Sequence, residues 1–247
     1  MAAEVQLRMA SNPPGPCCFV GFKHDGTPSG SIRNVHGGFS NLEMTVRTYV
    51  AEPKEGLRNK GAVLLLSDVF GLRQNSQLLA DDFASNGYLA VLPDLLDGES
   101  LPLDVFQTGS VNIPAWALRH GVEQVDPIVD STIKFMREEM GVEKIAAAGY
   151  CFGAKYTARF LKAKKIDVGY VAHPSYITFE ELESIENPLS ITAAEQRLAL
   201  GKKVYQINLF SGVAHGFAVR GDLSIAANRW SKEQALLQAL AWFEYHL

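Results

Sequence analysis

The chain has 247 residues, of which 47% are hydrophobic and 20% are charged, and its formal net charge at neutral pH is −4. A chain of this length and composition can bury a large core, and α/β proteins of this size commonly form one unit, so we expect a single domain over residues 1–247. Lysine and arginine are scattered along the chain, which argues against a nucleic-acid partner and favours a small molecule.

Membrane insertion, disulfide bonding and metal binding are also disfavoured. The chain lacks the ~20 consecutive apolar residues that a spanning helix requires, and residues 1–16 do not resemble a signal peptide. The cysteines, Cys17, Cys18 and Cys151, are odd in number and two are adjacent, which favours a reducing, cytoplasmic location. The six histidines show none of the short spacings typical of zinc sites, so we expect neither a metal nor another cofactor.

Hydrophobic periodicity predicts the order of the elements. Residues 1–42 are rich in glycine and proline and are predicted to form an irregular extension that wraps the domain. Apolar runs and alternation then predict strands at 43–51, 61–67, 88–93, 144–148, 167–172, 188–193 and 202–210. Helical spacing predicts helices at 74–86, 127–140, 154–164 and 229–247.

This alternation of strands and helices predicts an α/β fold with a mostly parallel sheet and helices on both faces. In such folds the ligand crevice lies at the carboxyl ends of the strands. Residues 101–121 interrupt the alternation and are interpreted as an insertion that covers the pocket.

A nucleophile is predicted at Cys151. It lies in Gly149-Tyr150-Cys151-Phe152-Gly153, between an apolar strand and a helix, which is the Gly-x-nucleophile-x-Gly elbow of α/β-hydrolases with cysteine in place of serine. The sharp turn is expected to expose the side chain above the sheet. A buried cysteine is more often an inert small hydrophobe, but the strand before and the helix after favour the nucleophile.

A cysteine nucleophile reacts as the thiolate, so it needs a neighbouring base that removes its proton. His215 follows the last predicted strand and comes after the nucleophile in the chain, the order found in α/β-hydrolases, and we favour it over His173. The start of the helix after Cys151 would favour the thiolate and offer the Phe152 N–H to an oxyanion. Val69, in the loop after the strand at 61–67, is expected to supply the second donor.

Three separated segments, 68–71, 149–153 and 210–217, together resemble the dienelactone hydrolase (carboxymethylenebutenolidase) family, and the resemblance runs from about Met44 to the end of the chain. It implies an α/β-hydrolase fold, a small-molecule ester or lactone substrate and a Cys-Asp-His triad. By this resemblance Cys151 is the nucleophile, His215 the base, and Asp68 an acid that contacts the resting thiol. Arg220 matches a position linked to binding of a substrate carboxylate. The plain alternatives are a turn-capping role for Asp68 and a surface position for Arg220.

The sequence departs from the family where the triad aspartate is expected. Relatives carry Ala-Glu-x-Asp after the strand at 188–193, whereas this chain reads Ala-Glu-Gln-Arg-Leu at 194–198. Arg197 has no acceptor and cannot orient a histidine. Three explanations stay open: a segment carrying the aspartate is absent from the sequence, the acid has been lost, or Glu195 has taken its place.

The leading hypothesis is therefore hydrolysis of an ester or lactone through a thioester on Cys151, by a monomer or homodimer. A related hydrolase could instead act on polyketide-type esters or thioesters. A protein of the same fold without a working triad, acting only in binding, is the main alternative class. A redox-sensing thiol is less favoured, because Cys17 and Cys18 offer no evident resolving partner.

Overall fold

A computed structural model of the chain describes residues 9–11, 19–39, 42–55, 57, 60–193 and 204–247. The strands in these ranges are β1 Ser31–Phe39, β2 Leu42–Ala51, β3 Ala62–Leu66, β4 Leu89–Pro93, β5 Ile145–Tyr150, β6 Val168–Ala172, β7 Leu189–Ala193 and β8 Tyr205–Leu209. The helices are α1 Gln74–Ser85, α2 Val105–Thr108, α3 Ile113–Arg119, α4 Val122–Glu138, α5 Phe152–Phe160, α6 Phe179–Glu183, α7 Phe217–Arg220 and α8 Ala226–His246. Strands and helices alternate from β3 to β7, as the periodicity predicts.

The strands form an eight-stranded sheet in the order β1-β2-β4-β3-β5-β6-β7-β8. β2 is antiparallel to both β1 and β4, and every pairing from β4 through β8 is parallel. The predicted, mostly parallel sheet is therefore confirmed. Because the parallel strands run in one direction, the loops after β3, β5, β6, β7 and β8 leave the sheet at the same edge.

The central strands are apolar on both faces because helices cover both. Every residue of β3, β5, β6 and β7 is buried. Alternate side chains enter opposite cores, as the two-residue period of a strand requires. In β3, Leu64 and Leu66 pack in the core that contains α4 and α5 side chains, whereas Val63 and Leu65 pack in the core that contains α1 and α8 side chains.

The structure corrects the prediction that residues 1–42 are irregular. β1 occupies Ser31–Phe39 and pairs with β2 in a hairpin register that runs from Ser31 opposite Val50 to Phe39 opposite Leu42. The strand was missed because most of its side chains are polar or glycine, and only Val35 among the described ones is buried. Long-range pairing with β2, rather than local pattern, stabilises it.

Residues 19–26 follow the wrapping path predicted for the extension. The Phe22 N–H donates to the Arg220 carbonyl at 3.0 Å, and the Asn75 side chain donates to the Phe22 carbonyl at 2.7 Å. The Arg220 Nε in turn donates to the Val20 carbonyl at 3.0 Å. This segment, which we call the N-terminal strap, thus holds α7 against the start of α1.

Two helical predictions also need correction. The helix predicted from Pro127 begins at Val122, so the proline lies inside α4 and removes one main-chain hydrogen bond there. The insertion at 101–121 contains α2 and α3, which the sequence did not predict. Trp116 of α3 is buried, its indole N–H donates to the Glu99 carbonyl at 2.7 Å, and its ring centroid lies 6.1 Å from that of Phe152. The insertion therefore packs beside the start of α5.

Gly153 allows the start of α5 to lie close to the end of β3. A Cβ atom at this position would overlap the carbonyl oxygens of Leu66 and Ser67 on the neighbouring main chain. We expect Gly153→Ala to lower the free energy of unfolding by about 3 kcal/mol or more, because main-chain atoms cannot move aside as a flexible side chain can. Urea denaturation followed by circular dichroism measures this.

Gly121→Ala is the matched control. It caps α4, and an added Cβ would meet only the mobile end of Gln124 at 3.3 Å. Its cost should stay within about 1 kcal/mol. Equal losses in the two variants would contradict the overlap argument.

Candidate active site

The predicted elbow is present at the end of β5. Cys151 links β5 to α5 with φ 51° and ψ −106°, a conformation that residues other than glycine rarely adopt. Two hydrogen bonds hold the strained turn: the Cys151 N–H donates to the Ala172 carbonyl at 3.1 Å, and the Gly153 N–H donates to the Ser67 carbonyl at 3.0 Å. Backbone strain maintained in this way is typical of a functional site.

The thiol is enclosed rather than exposed, which corrects the expectation of an exposed side chain. Cys151 is 0% exposed and belongs to the same buried apolar cluster as Val69, Trp116 and Phe152. The loop after β3 supplies Val69 to this cluster and the insertion supplies Trp116, and a local sequence pattern does not reveal how they pack. Sγ lies 3.7 Å from Oγ of Ser175, whose N–H donates to the Cys151 carbonyl at 3.1 Å.

Ser175 is a site residue that the sequence analysis missed. It is buried in the loop after β6, two residues past His173. No motif marks it, and it reaches the thiol because β6 is the direct neighbour of β5 in the sheet. In the sequence, Ser175 could have been noticed only because it follows the predicted strand at 167–172, which comes next in the chain after the elbow and its helix.

The two predicted oxyanion donors lie on adjoining stretches of main chain. Phe152 is the first residue of α5, and Val69 lies in the turn after β3. The side chain of Asp68 fixes that turn by accepting the Phe70 N–H at 2.9 Å. Within the described ranges neither the Phe152 N–H nor the Val69 N–H donates a hydrogen bond, so both are available to a ligand oxygen.

Asp68 and Arg220 form a buried ion pair. Arg220 Nη1 lies 2.6 Å from Asp68 Oδ2, and the two side chains are 2% and 1% exposed. The guanidinium also lies 5.1 Å from the centroid of the Phe70 ring, and a Cβ at Gly216 would come within 2.5 Å of its Cζ. The surface-arginine alternative is therefore wrong. The turn-capping bond of Asp68 is present together with the ion pair.

A pocket of about 270 Å³ adjoins this ion pair. Its lining includes Phe70, Leu103 and Val219, which are apolar, and Lys23 and Arg73, which are exposed cations. Neither cation forms an ion pair with any residue of the described ranges. The rim of the pocket therefore carries uncompensated positive charge.

His215 lies in the loop after β8 and is half-buried, with a buried Nε2 that has no hydrogen-bond partner in the described part of the chain. Its ring centroid is 4.8 Å from that of His173. His173 directly follows Ala172, the residue whose carbonyl accepts the Cys151 N–H. The elbow and His215 thus both lie next to the residues that end β6 and begin the loop after it.

His173 is more deeply buried than the sequence indicated. It is 3% exposed and has φ 39°, and neither ring nitrogen has a hydrogen-bond partner among the described residues. Burial holds its pKa well below 6.5, and the neighbouring His215 and Arg220 lower the pKa further. The imidazole is therefore neutral at physiological pH.

We expect this burial to make the protein acid-sensitive. Because the folded-state pKa of His173 is depressed, the unfolded chain binds a proton below pH 6.5 that the folded chain does not, so stability is full above that pH and falls as the pH drops below it. The contribution reaches at most about 1.4 kcal/mol per pH unit. Urea denaturation at several pH values gives the free energy of unfolding as a function of pH. Below pH 6.5 this free energy should fall less steeply with pH for His173→Gln than for the wild type. An equal fall in both proteins would assign the acid sensitivity to other groups.

Glu195 and Arg197 lie outside the described residues, as do Cys17 and Cys18. β7 ends at Ala193 beside β6, so the chain leaves the sheet there at the same edge as the elbow. Across the described ranges, no group of three or more histidine, cysteine, aspartate or glutamate side chains is placed to hold a metal ion. In those ranges no helix combines the length and apolarity that a membrane crossing demands.

Comparison with known proteins finds relatives that match most of the chain. A model of the dienelactone hydrolase family matches residues 46–247. The hydrolase pyvD of Aspergillus violaceofuscus is 42% identical, covering 97% of this chain and 99% of that protein. The hydrolase tropI of Talaromyces stipitatus is 38% identical, with 97% and 99% covered.

The solved structures add a likeness of fold. A putative dienelactone hydrolase from Klebsiella pneumoniae aligns with a TM-score of 0.66 at 16% identity, covering 86% of this chain and 98% of that one. The dienelactone hydrolase from Anabaena variabilis aligns with a TM-score of 0.64 at 11% identity, with 88% and 99% covered. The predicted α/β-hydrolase fold is thereby confirmed.

Proposed function

Because the chain belongs to the dienelactone hydrolase family and is a carboxylic ester or lactone hydrolase, we propose that it cleaves its substrate through a thioester on Cys151, with His215 as the base. The observation that carries the proposal is the strained turn at Cys151, with two N–H groups on the adjoining main chain that donate no hydrogen bond within the described ranges. A turn of this kind costs free energy, and catalysis is the usual reason for retaining it.

In the first half-reaction His215 takes the thiol proton and the Cys151 sulfur attacks the substrate carbonyl carbon. The S–C bond forms, and the carbonyl oxygen gains the negative charge. The N–H groups of Phe152 and Val69 stabilise that oxyanion. When the tetrahedral intermediate collapses, the C–O bond of the ester breaks, and the leaving alkoxide takes the proton from His215.

In the second half-reaction water attacks the thioester and gives a proton to His215. The C–S bond then breaks, the carboxylic acid is released, and the sulfur recovers its proton. The positive end of α5 lies at Cys151 and favours the thiolate in both halves. In this proposal Glu195 orients His215, the role that an aspartate fills in a Cys-Asp-His triad.

The pocket beside the Asp68–Arg220 pair supports an anionic substrate. Asp68 already neutralises Arg220, so a substrate carboxylate there would share the guanidinium with Asp68. Lys23 and Arg73 supply the additional positive charge at the rim, while Phe70 lies among the apolar residues that would contact the substrate body. We therefore propose that Arg220 helps to bind a carboxylate on a small ester or lactone.

The test is direct detection of the thioester. The protein is mixed with p-nitrophenyl acetate, quenched in acid within milliseconds, and digested for peptide mass spectrometry. We expect an acetyl group on Cys151 that hydroxylamine removes, together with a burst of nitrophenolate. Cys151→Ala should show neither. An acetyl group on Ser175, or steady turnover without any adduct, would reject the cysteine mechanism.

A further inference from the structure

His173 lies at the junction between the elbow and the proposed base. Its main-chain N–H donates to the Thr192 carbonyl at 2.7 Å, which fixes the start of the loop after β6. The same loop accepts the Cys151 N–H at Ala172 and places Ser175 Oγ 3.7 Å from the thiol. The His173 ring lies against that of His215, with 4.8 Å between ring centroids.

The placement of His173 lowers the stability of the fold, which suggests a functional reason for it. A buried polar group without a hydrogen bond destabilises a protein, and so does a positive φ at a residue other than glycine. His173 carries both costs, since its two ring nitrogens have no partner in the described ranges and its φ is 39°. A phenylalanine would fill the same space beside Phe217 without leaving ring nitrogens unbonded.

The His173 ring lies against the ring of His215. His215 Nε2 is also buried and has no partner among the described residues. A neutral imidazole offers one N–H donor and one lone-pair acceptor, whereas a protonated imidazole offers two donors. When His215 takes up a proton both of its nitrogens become donors, and the His173 ring that it contacts holds an acceptor with no partner in the described ranges.

We propose that His173 is a positioning residue for the reaction: it supports the ring of His215 and, together with Glu195, accepts the N–H of His215 that does not carry the thiol proton. The inference rests on the proposed function, which makes His215 the base. The proton leaves Cys151 Sγ and binds one nitrogen of His215, while the N–H on the other nitrogen donates to His173. It passes to the leaving alkoxide when the C–O bond breaks.

The charged and titratable groups around His173 suit this role. His215 from the loop after β8 and Arg220 from α7 both oppose a positive charge on His173. Tyr150, at the end of β5, lies 6.1 Å away between ring centroids, and burial raises the pKa of Tyr150 well above 10, so it is uncharged. His173 therefore stays neutral and keeps its lone pair when the adjacent ring becomes protonated.

The experiment compares His173→Phe and His173→Gln with the wild type. The rate of Cys151 alkylation by iodoacetamide is measured against pH, and kcat and KM are measured with p-nitrophenyl acetate. Removing the acceptor should raise the pH at which the thiol becomes reactive by about one unit in His173→Phe, and so lower alkylation at neutral pH about tenfold. The kcat value should fall similarly with little change in KM. His173→Gln keeps a side-chain acceptor and should recover part of the loss.

Tyr88→Phe is the matched control, because it removes another buried group that lacks a hydrogen-bond partner in the described ranges, beside the start of β4. It should leave the alkylation profile unchanged. If His173→Phe and His173→Gln change thermal stability but neither alters the alkylation profile, His173 is structural and the inference is overturned. If His215→Asn also leaves alkylation unchanged, the proposed function fails as well; a large effect of His215→Asn alone rejects only the role of His173.

Discussion

Cys151→Ala is expected to lower kcat/KM for an activated ester by about 10⁴-fold or more. The substitution removes the sulfur that forms the covalent bond, while the oxyanion donors at Phe152 and Val69 stay in place. Because those donors can still stabilise an oxyanion, the variant should hydrolyse the ester somewhat faster than the uncatalysed reaction in water. The side chain lies wholly in an apolar cluster, so alanine should be tolerated by the fold. Steady-state kinetics and circular dichroism measure the two effects.

Two further variants complete this experiment. Cys151→Ser replaces the sulfur with a much less acidic hydroxyl and should retain only a small part of the activity. Cys17→Ala with Cys18→Ala leaves the proposed nucleophile intact and should keep wild-type turnover. If Cys151→Ala hydrolyses the ester at the wild-type rate, the nucleophile is water or another side chain, and the covalent scheme must be abandoned.

His215→Asn should lower ester hydrolysis at neutral pH by about 10²- to 10⁴-fold, the range typical of a lost general base. Asparagine is similar in shape but does not take up a proton, so the thiol must ionise unaided. Alkylation of Cys151 should then fall at neutral pH and recover as the pH rises toward the range in which a free thiol ionises, near 8.5. A pH series of iodoacetamide alkylation rates separates this loss from unfolding.

His36→Asn is the comparison for this substitution. His36 is an exposed residue of β1, with Nδ1 3.3 Å from Thr45 Oγ1, and has no link to the elbow in the described ranges. It should match the wild type in both assays. If His173→Gln instead lowers alkylation more than His215→Asn does, the two histidines have exchanged roles, and the base is the buried one.

The sequence identified the elbow because its signal is local. Glycines two residues either side of Cys151, a buried strand before and a helix after are all visible within a dozen residues, and the structure has the bend at that point. The central strands were likewise predicted closely, since residues buried on both faces form continuous apolar runs. β1 was missed because its polar and glycine-rich sequence acquires strand structure only by pairing with β2.

The rest of the site depends on contacts between distant residues. The ion pair of Asp68 and Arg220 joins positions 152 apart in the chain, and the contact of Ser175 with the thiol depends on which strand lies beside β5. The buried cluster that contains the thiol also includes Trp116, from the insertion, and Val69, from the turn after β3. A single sequence contains no local periodicity that encodes such packing. The acid that would orient His215 stays a prediction, because Glu195 lies outside the described residues.

The N-terminal strap has a practical consequence for anyone who shortens this chain. A version that starts at Gly30, immediately before the first strand, looks like a sensible way to remove a dispensable tail. It would, however, delete the Val20 carbonyl that accepts Arg220 Nε, and the Phe22 amide that bonds the Arg220 carbonyl. The guanidinium would then face water on one side and be free to leave Asp68, so low activity in such a truncation would report a damaged binding pocket rather than an inactive enzyme.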